Sequence, residues 1–189
     1  RGTGYTACRM PTAGEERVFY RLNGIQPIRI STHAIEKAWQ TYTTINDAFC
    51  FSVPFGGHKF IYITFPSQGA TWGYDIATGF WHERISWEPT GAEAKWRINC
   101  CLAAYNKILV GDAKSGRIGY LDPDTYTEFG DTVRMILISP PIDGKGDLVF
   151  MPMFEIDVET GVGLTTGQGS DPQAMLDWSD DGGRTWVSP

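Results

Sequence analysis

Phe49-Cys50-Phe51-Ser52-Val53-Pro54-Phe55-Gly56-Gly57-His58-Lys59-Phe60-Ile61-Tyr62-Ile63-Thr64-Phe65 is the stretch that decides the fold. Phe49, Phe51, Val53 and Phe55 alternate with Ala48, Cys50 and Ser52. A period of two places alternate side chains on opposite faces of a pleated strand. Gly56-Gly57 turns the chain, and Lys59 to Phe65 forms the return strand. After Pro66-Ser67-Gln68-Gly69, a third strand carries Trp72, Tyr74 and Ile76 on one side. Thr78-Gly79 turns it into a fourth strand with Trp81, Ile85 and Trp87. Residues 48–87 thus hold four consecutive antiparallel strands.

A second unit follows over residues 97–139, with candidate strands Ile98 to Tyr105, Ile108 to Asp112, Arg117 to Asp122 and Thr132 to Ser139. Turn residues Asn106-Lys107, Lys114-Ser115-Gly116 and Pro123-Asp124 fall between them. Asp75-Ile76-Ala77-Thr78-Gly79 and Asp122-Pro123-Asp124-Thr125 share an Asp-x-x-Thr string after an apolar residue, and each lies between strands three and four of its unit. An Asp before a turn accepts from the amides two and three residues on, and the Thr hydroxyl reinforces it. The string recurs at Asp157 to Gly161. Four-stranded units of this size are what the blades of a β-propeller contain, so the fold class expected is all-β and propeller-like.

Upstream, Val18 to Ile30 reads as a hairpin turning at Asn23-Gly24 with type I′ geometry. One short helix is expected around Thr32 to Tyr42, capped by Ser31 or Thr32, with Ile35, Ala38, Trp39 and Tyr42 on one face. Downstream, Pro140 to Gly146 has linker composition, dividing a domain over residues 1–140 from a C-terminal β segment over 147–189. In that segment Phe154, Ile156 and Val158 alternate with Glu155, Asp157 and Glu159, the pattern of a strand with one buried face. Gly161 to Pro172 is glycine-rich and polar, a loop composition. Ser179-Asp180-Asp181-Gly182-Gly183-Arg184-Thr185-Trp186 fits S-x-D-x-G-x-T-W, the Asp-box hairpin of sialidases and related propellers. Its Asp181 is expected to bind the turn amides, supported by Ser179 and Thr185, with Gly183 taking a backbone conformation other residues resist and Trp186 packing beneath. That motif builds turns and performs no catalysis.

The 189 residues include 22 Gly and 11 Pro, which favours many turns and short strands over a helical bundle. The absence of Met and of an apolar leader before Arg1 suggests a piece of a longer chain. No stretch approaches the ~18 apolar residues of a membrane span. Net charge is −6, and the basic residues are scattered, which argues against a partner held through nucleic-acid phosphates. Cys8, Cys50, Cys100 and Cys101 form no Cys-x-x-Cys pair and are read as reduced core residues of a cytoplasmically folded protein. His33, His58 and His82 are isolated, and no metal or cofactor site is expected. Asp112 to Gly116 lacks the repeated acids of a calcium loop and reads as a hairpin turn. Sialidase chemistry would need an arginine cluster with a nucleophile and acid, and Arg29 has only a faint counterpart there. Glu83, Glu88 and Glu93 cannot be paired from sequence, and no catalytic residue is assigned.

Ile30-Ser31-Thr32-His33-Ala34-Ile35-Glu36, the strand Phe60 to Phe65 with Gly57-His58 before it, Thr71 to Arg84, Ile156 to Gly163 and Met175 to Trp186 together resemble the packaged-DNA stabilisation proteins of short-tailed phages. Members of that family run longer, so the chain would be a fragment. The resemblance implies a virion structural protein, not an enzyme, made in the host cytoplasm. It would assemble as a homo-oligomeric ring with other portal and tail proteins, extend the channel, and plug the head after packaging. DNA would be channel content only, which an acidic chain suits. The competing reading is a carbohydrate-binding propeller of receptor-recognition or sialidase-like type, in which exposed Trp72 and Trp81 would serve the sugar.

Overall fold

The computed structural model describes residues 17–88, 90–142, 144, 149–157 and 173–188. Cys8, the Asp157-to-Gly161 turn and the Gly161-to-Pro172 loop fall wholly or partly outside them. The chain divides into two compact units, Arg1–Asp131 and Thr132–Pro189.

The first unit opens with a hairpin of β1 (Tyr20–Asn23) and β2 (Gln26–Arg29). Asn23 pairs with Gln26, so the corner residues are Gly24 and Ile25, one step beyond the expected pair. Gly24 alone has positive φ, at 65°, which suits a type II′ corner and not type I′. Helix α1 (His33–Gln40) follows, and Thr32 is its N-cap, accepting from the Ile35 amide at 3.5 Å. Ser31 serves elsewhere: its Oγ accepts from the buried Phe19 amide at 2.9 Å and donates to Glu36.

The first sheet is β3 (Phe49–Phe55), β4 (His58–Phe65), β5 (Ala70–Asp75) and β6 (Trp81–Glu83), antiparallel and in sequence order. One face presents Ile61, Ile63, Phe65, Trp72, Tyr74 and Trp81 to Phe19, Ile35 and Trp39. Trp39 is fully buried, with Trp72, Trp81 and Phe19 edge-on to it at 5.8–6.3 Å. Such edge-to-face pairs add about 0.5–1.5 kcal/mol each beyond area burial. The opposite face packs Phe51, Val53 and Tyr62 against Trp96, Ile98 and Val110. Coverage on both faces explains why β4 is apolar almost without interruption.

The expected fourth strand does not run from Trp81 to Trp87. It breaks at Arg84; β7 (Ile85–Trp87) then pairs with β8 (Glu93–Lys95) in a separate two-stranded ladder. Ser86 is buried there and accepts the Arg97 amide at 2.9 Å, which ties this segment to the next sheet.

The second sheet has three strands, β9 (Ile98–Ala104), β10 (Lys107–Asp112) and β11 (Ile118–Tyr120). The expected fourth strand, Thr132 to Ser139, does not form among the described residues. Instead β12 (Thr127–Glu128) pairs with β13 (Asp131–Thr132). Two bonds hold this small hairpin away from a sheet position: Glu128 accepts from the Trp96 indole at 2.7 Å, and Asp131 from Arg97 at 2.6 Å.

In the second unit residues 149–157 contain no strand, and Phe154 and Ile156 are exposed. Alternation supplies two faces, but a strand also needs a neighbour to take its hydrogen bonds. Beyond β13, the described pairing in this unit is one antiparallel bridge, Trp178 to Val187, with amide-to-carbonyl distances of 3.1 and 2.9 Å.

Candidate functional site

Chemistry-bearing side chains gather at strand ends, in turns built on one carboxylate each. Asp75 ends β5, where its Oδ1 accepts from the Ala77 amide at 2.9 Å and its Oδ2 from the Thr78 hydroxyl at 2.8 Å. Gly79, at φ 76°, closes the turn onto the Asp75 carbonyl at 2.9 Å. His58 Nδ1 lies 2.7 Å from Asp75 Oδ2, and the ring stacks on Phe60. Burial alone would raise the Asp75 carboxyl; the bonds from Ala77, Thr78 and His58 outweigh it and hold it below its ordinary value. Asp122 repeats the turn in looser form, with Asp124 N at 3.2 Å and Thr125 Oγ1 at 2.9 Å. It follows β11 but leads into the small hairpin and not into a fourth strand.

The sequence reading took Asp112 to Gly116 as a hairpin turn, which it is, between β10 and β11, but did not recognise it as the most tightly held member of this series. Asp112-Ala113-Lys114-Ser115-Gly116 is the same string with Ser in place of Thr. Asp112 Oδ1 accepts from the Lys114 amide at 3.0 Å, and Ser115 donates to Oδ2. Arg97 then grips both oxygens, Nε to Oδ1 at 2.8 Å and Nη2 to Oδ2 at 2.7 Å, with both side chains almost fully buried. The third nitrogen of its fork reaches Asp131, and the guanidinium lies 4.9 Å over the Phe129 ring. The Arg97 guanidinium, aided by Ser115 and Lys114, holds the Asp112 carboxyl far below the carboxylate range. Asp112 in turn raises Arg97. A signal existed in the sequence: allowing Ser for Thr would have exposed the string. Arg97 as its partner had no local signal.

At the C-terminal turn Asp181 Oδ1 accepts from the Arg184 and Thr185 amides, each at 2.9 Å, and from Ser179 Oγ at 2.9 Å. Its Oδ2 accepts from Thr185 Oγ1 at 2.7 Å, while Ser179 Oγ takes the Gly183 amide at 2.8 Å. Gly183 has φ 87°, and Trp186 is half exposed beside it. The two bonds from Thr185 come first among the causes that lower the Asp181 carboxyl from 3.8 to about 2.

Trp72 and Trp81 are half-buried and hydrogen-bonded, to Tyr42 Oη at 3.0 Å and the Ile30 carbonyl at 2.8 Å. They serve the core and not a sugar platform. Glu88 pairs with Lys114, and Glu83 is pushed up by burial and then by Glu93. Among the described cysteines, Cys50 and Cys100 are exposed and Cys101 is half-buried, with its Sγ 2.8 Å from the Ser52 carbonyl. The expectation of core cysteines therefore fails for Cys50 and Cys100, which are exposed, while Cys101 packs partly buried against the core around Val110. Among the described residues no three His, Cys, Asp or Glu side chains gather as metal ligands. None of the described helices is long and apolar enough to cross a membrane.

A groove of about 790 Å³ runs between the β3–β4 and β9–β10 hairpin tips, lined by Phe55, His58, Tyr105, Lys107, Tyr120 and Leu121 among others.

No curated protein matches the chain. A family model described as bacteriophage P22 Gp10, beta-propeller, matches residues 7–126, a span that holds α1 and both main sheets. The stacked antiparallel sheets and that match agree on a propeller-like all-β fold, and the chain belongs to this family of phage stabilisation proteins.

Proposed function

We propose that the protein is a non-enzymatic virion component that assembles at the junction of portal and tail and retains packaged DNA by plugging or extending the channel. The observation that carries this reading is the match over residues 7–126 to a family of phage structural proteins. Mechanism is then geometry. The first sheet, covered on both faces, gives a rigid element, and carboxylate-stapled turns fix loops for contact with neighbouring copies and other virion proteins. A ring of identical copies needs a heterologous interface that closes by rotation. The net charge of −6 suits a wall that DNA must pass without adhering.

The test is complementation of genome-filled heads that lack this component, with the complete protein. Stoichiometric incorporation together with retained DNA is the expected result. Heads that incorporate the protein and still leak would end the retention reading, and absence of any head binding would end the assembly reading.

A further inference from the structure

The two hairpin tips beside the groove solve one backbone problem with different residues. In the first sheet Gly56 and Gly57 close the β3–β4 turn at φ 59° and 83°. In the second, Tyr105 and Asn106 close the β9–β10 turn at φ 54° and 57°. Positive φ at both corners is the type I′ pattern, which glycine meets without strain and asparagine tolerates. For a bulky aromatic it is an outlier. Packing does not repay Tyr105 for this, since the residue is 91% exposed. The fold therefore gives no reason for a tyrosine at this corner, and strain kept without a structural return marks functional positions.

The surroundings indicate what such a ring would meet. The Lys107 ammonium sits 3.7 Å from the centroid of the Tyr120 ring, which holds it in place, and Tyr120 is 50% exposed. His58 is engaged by Asp75. None of the groove's lining residues is acidic, although the chain as a whole is acid-rich. An aromatic, mostly apolar cleft with one oriented cation complements a segment that offers apolar side chains and a carboxylate.

We propose that this groove docks an acidic loop of a different virion protein, with Tyr105 as the aromatic anchor and Lys107 as the partner of its carboxylate. This rests on the assembly reading above. Exposed aromatics at rigid positions are the residue type that dominates protein interfaces, and a cation at the rim sets orientation.

The experiment uses the complete protein in the head-complementation assay, with the double variant Tyr105→Gly/Asn106→Gly and the single variant Lys107→Glu. The double variant copies the sister turn, so its melting temperature is expected to stay or rise. Its incorporation into heads is expected to fall by at least about tenfold, as for loss of an interface anchor. Lys107→Glu should lower incorporation likewise. In assembled wild-type particles, a zero-length carbodiimide cross-link should join Lys107 to an Asp or Glu of another protein. Wild-type levels of incorporation for both variants would overturn the proposal. So would a cross-link from Lys107 to a second copy of this chain, or a double variant that melts lower, which would make Tyr105 structural. Failure of the wild-type protein itself to enter heads would overturn the assembly reading and this one with it.

Discussion

Val53 and Leu102 stand at the same distance before their hairpin tips, and each faces an apolar residue on the return strand, Phe60 and Leu109. Val53 is 1% exposed and Leu102 is 64% exposed. The first sheet has four strands and two covered faces; in the second, Leu102, Ile118 and Tyr120 lie open on the face away from Val110. Equal local pattern therefore does not mean equal burial. A strand's own residues decide which way side chains point, and a neighbouring layer decides whether that direction is the core.

The comparison can be broken most severely in the first sheet. Phe65→Ala removes a fully buried ring between Trp39 and Tyr42 and should cost about 3–5 kcal/mol in urea unfolding. A loss under about 1 kcal/mol would mean that this core is not the stabilising one.

The second sheet has its counterpart in polar form. Asp112→Ala leaves Arg97 buried without its main partner, so a loss of about 3–5 kcal/mol is expected. Asp122→Ala, in the looser copy of the same turn, should cost about 1 kcal/mol. Similar losses at the two sites would show that the Arg97 fork adds nothing. The pH dependence follows from the sign of the shift. Asp112 is depressed in the folded state, so its stabilisation is complete above the unfolded value near 3.8 and is lost as pH falls below it. Acid unfolding of Asp112→Asn should accordingly be flatter below about pH 4.

A gentler test takes the matched pair itself. Val53→Ala should cost about 2 kcal/mol and Leu102→Ala less than about 0.5 kcal/mol, both read from denaturant midpoints. A large loss at Leu102 would mean that its face is covered in solution. The smallest effect lies in the second unit. The Asp181 carboxyl should titrate near 2 by NMR, and Thr185→Val should move it upward by removing one donor.

Much of the first sheet was legible because its signals are local. The alternation of Phe49 to Phe55, the glycines at 56 and 57 and the apolar return strand each act over a few residues. The Asp75 turn was legible for the same reason, since Ala77, Thr78 and Gly79 lie within four residues of it, although its partner His58 does not. The second sheet was legible as far as β11. Beyond it, Thr132 to Ser139 has the apolar content of a strand, but long-range bonds from Trp96 and Arg97 redirect the chain at Glu128 and Asp131. The break at Arg84 has the same origin, in the Ser86–Arg97 bond. Phe154 and Ile156 show the other limit, where a two-faced pattern finds no ladder among the described residues.

The sequence by itself determined the all-β class, the Gly56-Gly57 tip, the helix after Thr32 and the family resemblance, because each depends on nearby residues, whereas the β1–β2 and β9–β10 corners lie one residue from their expected places. Tertiary structure alone decided which sheet faces are covered, where the fourth strands stop, and that Arg97 binds Asp112 from 15 residues away. Those outcomes depend on which groups meet across the core, and no local period encodes them.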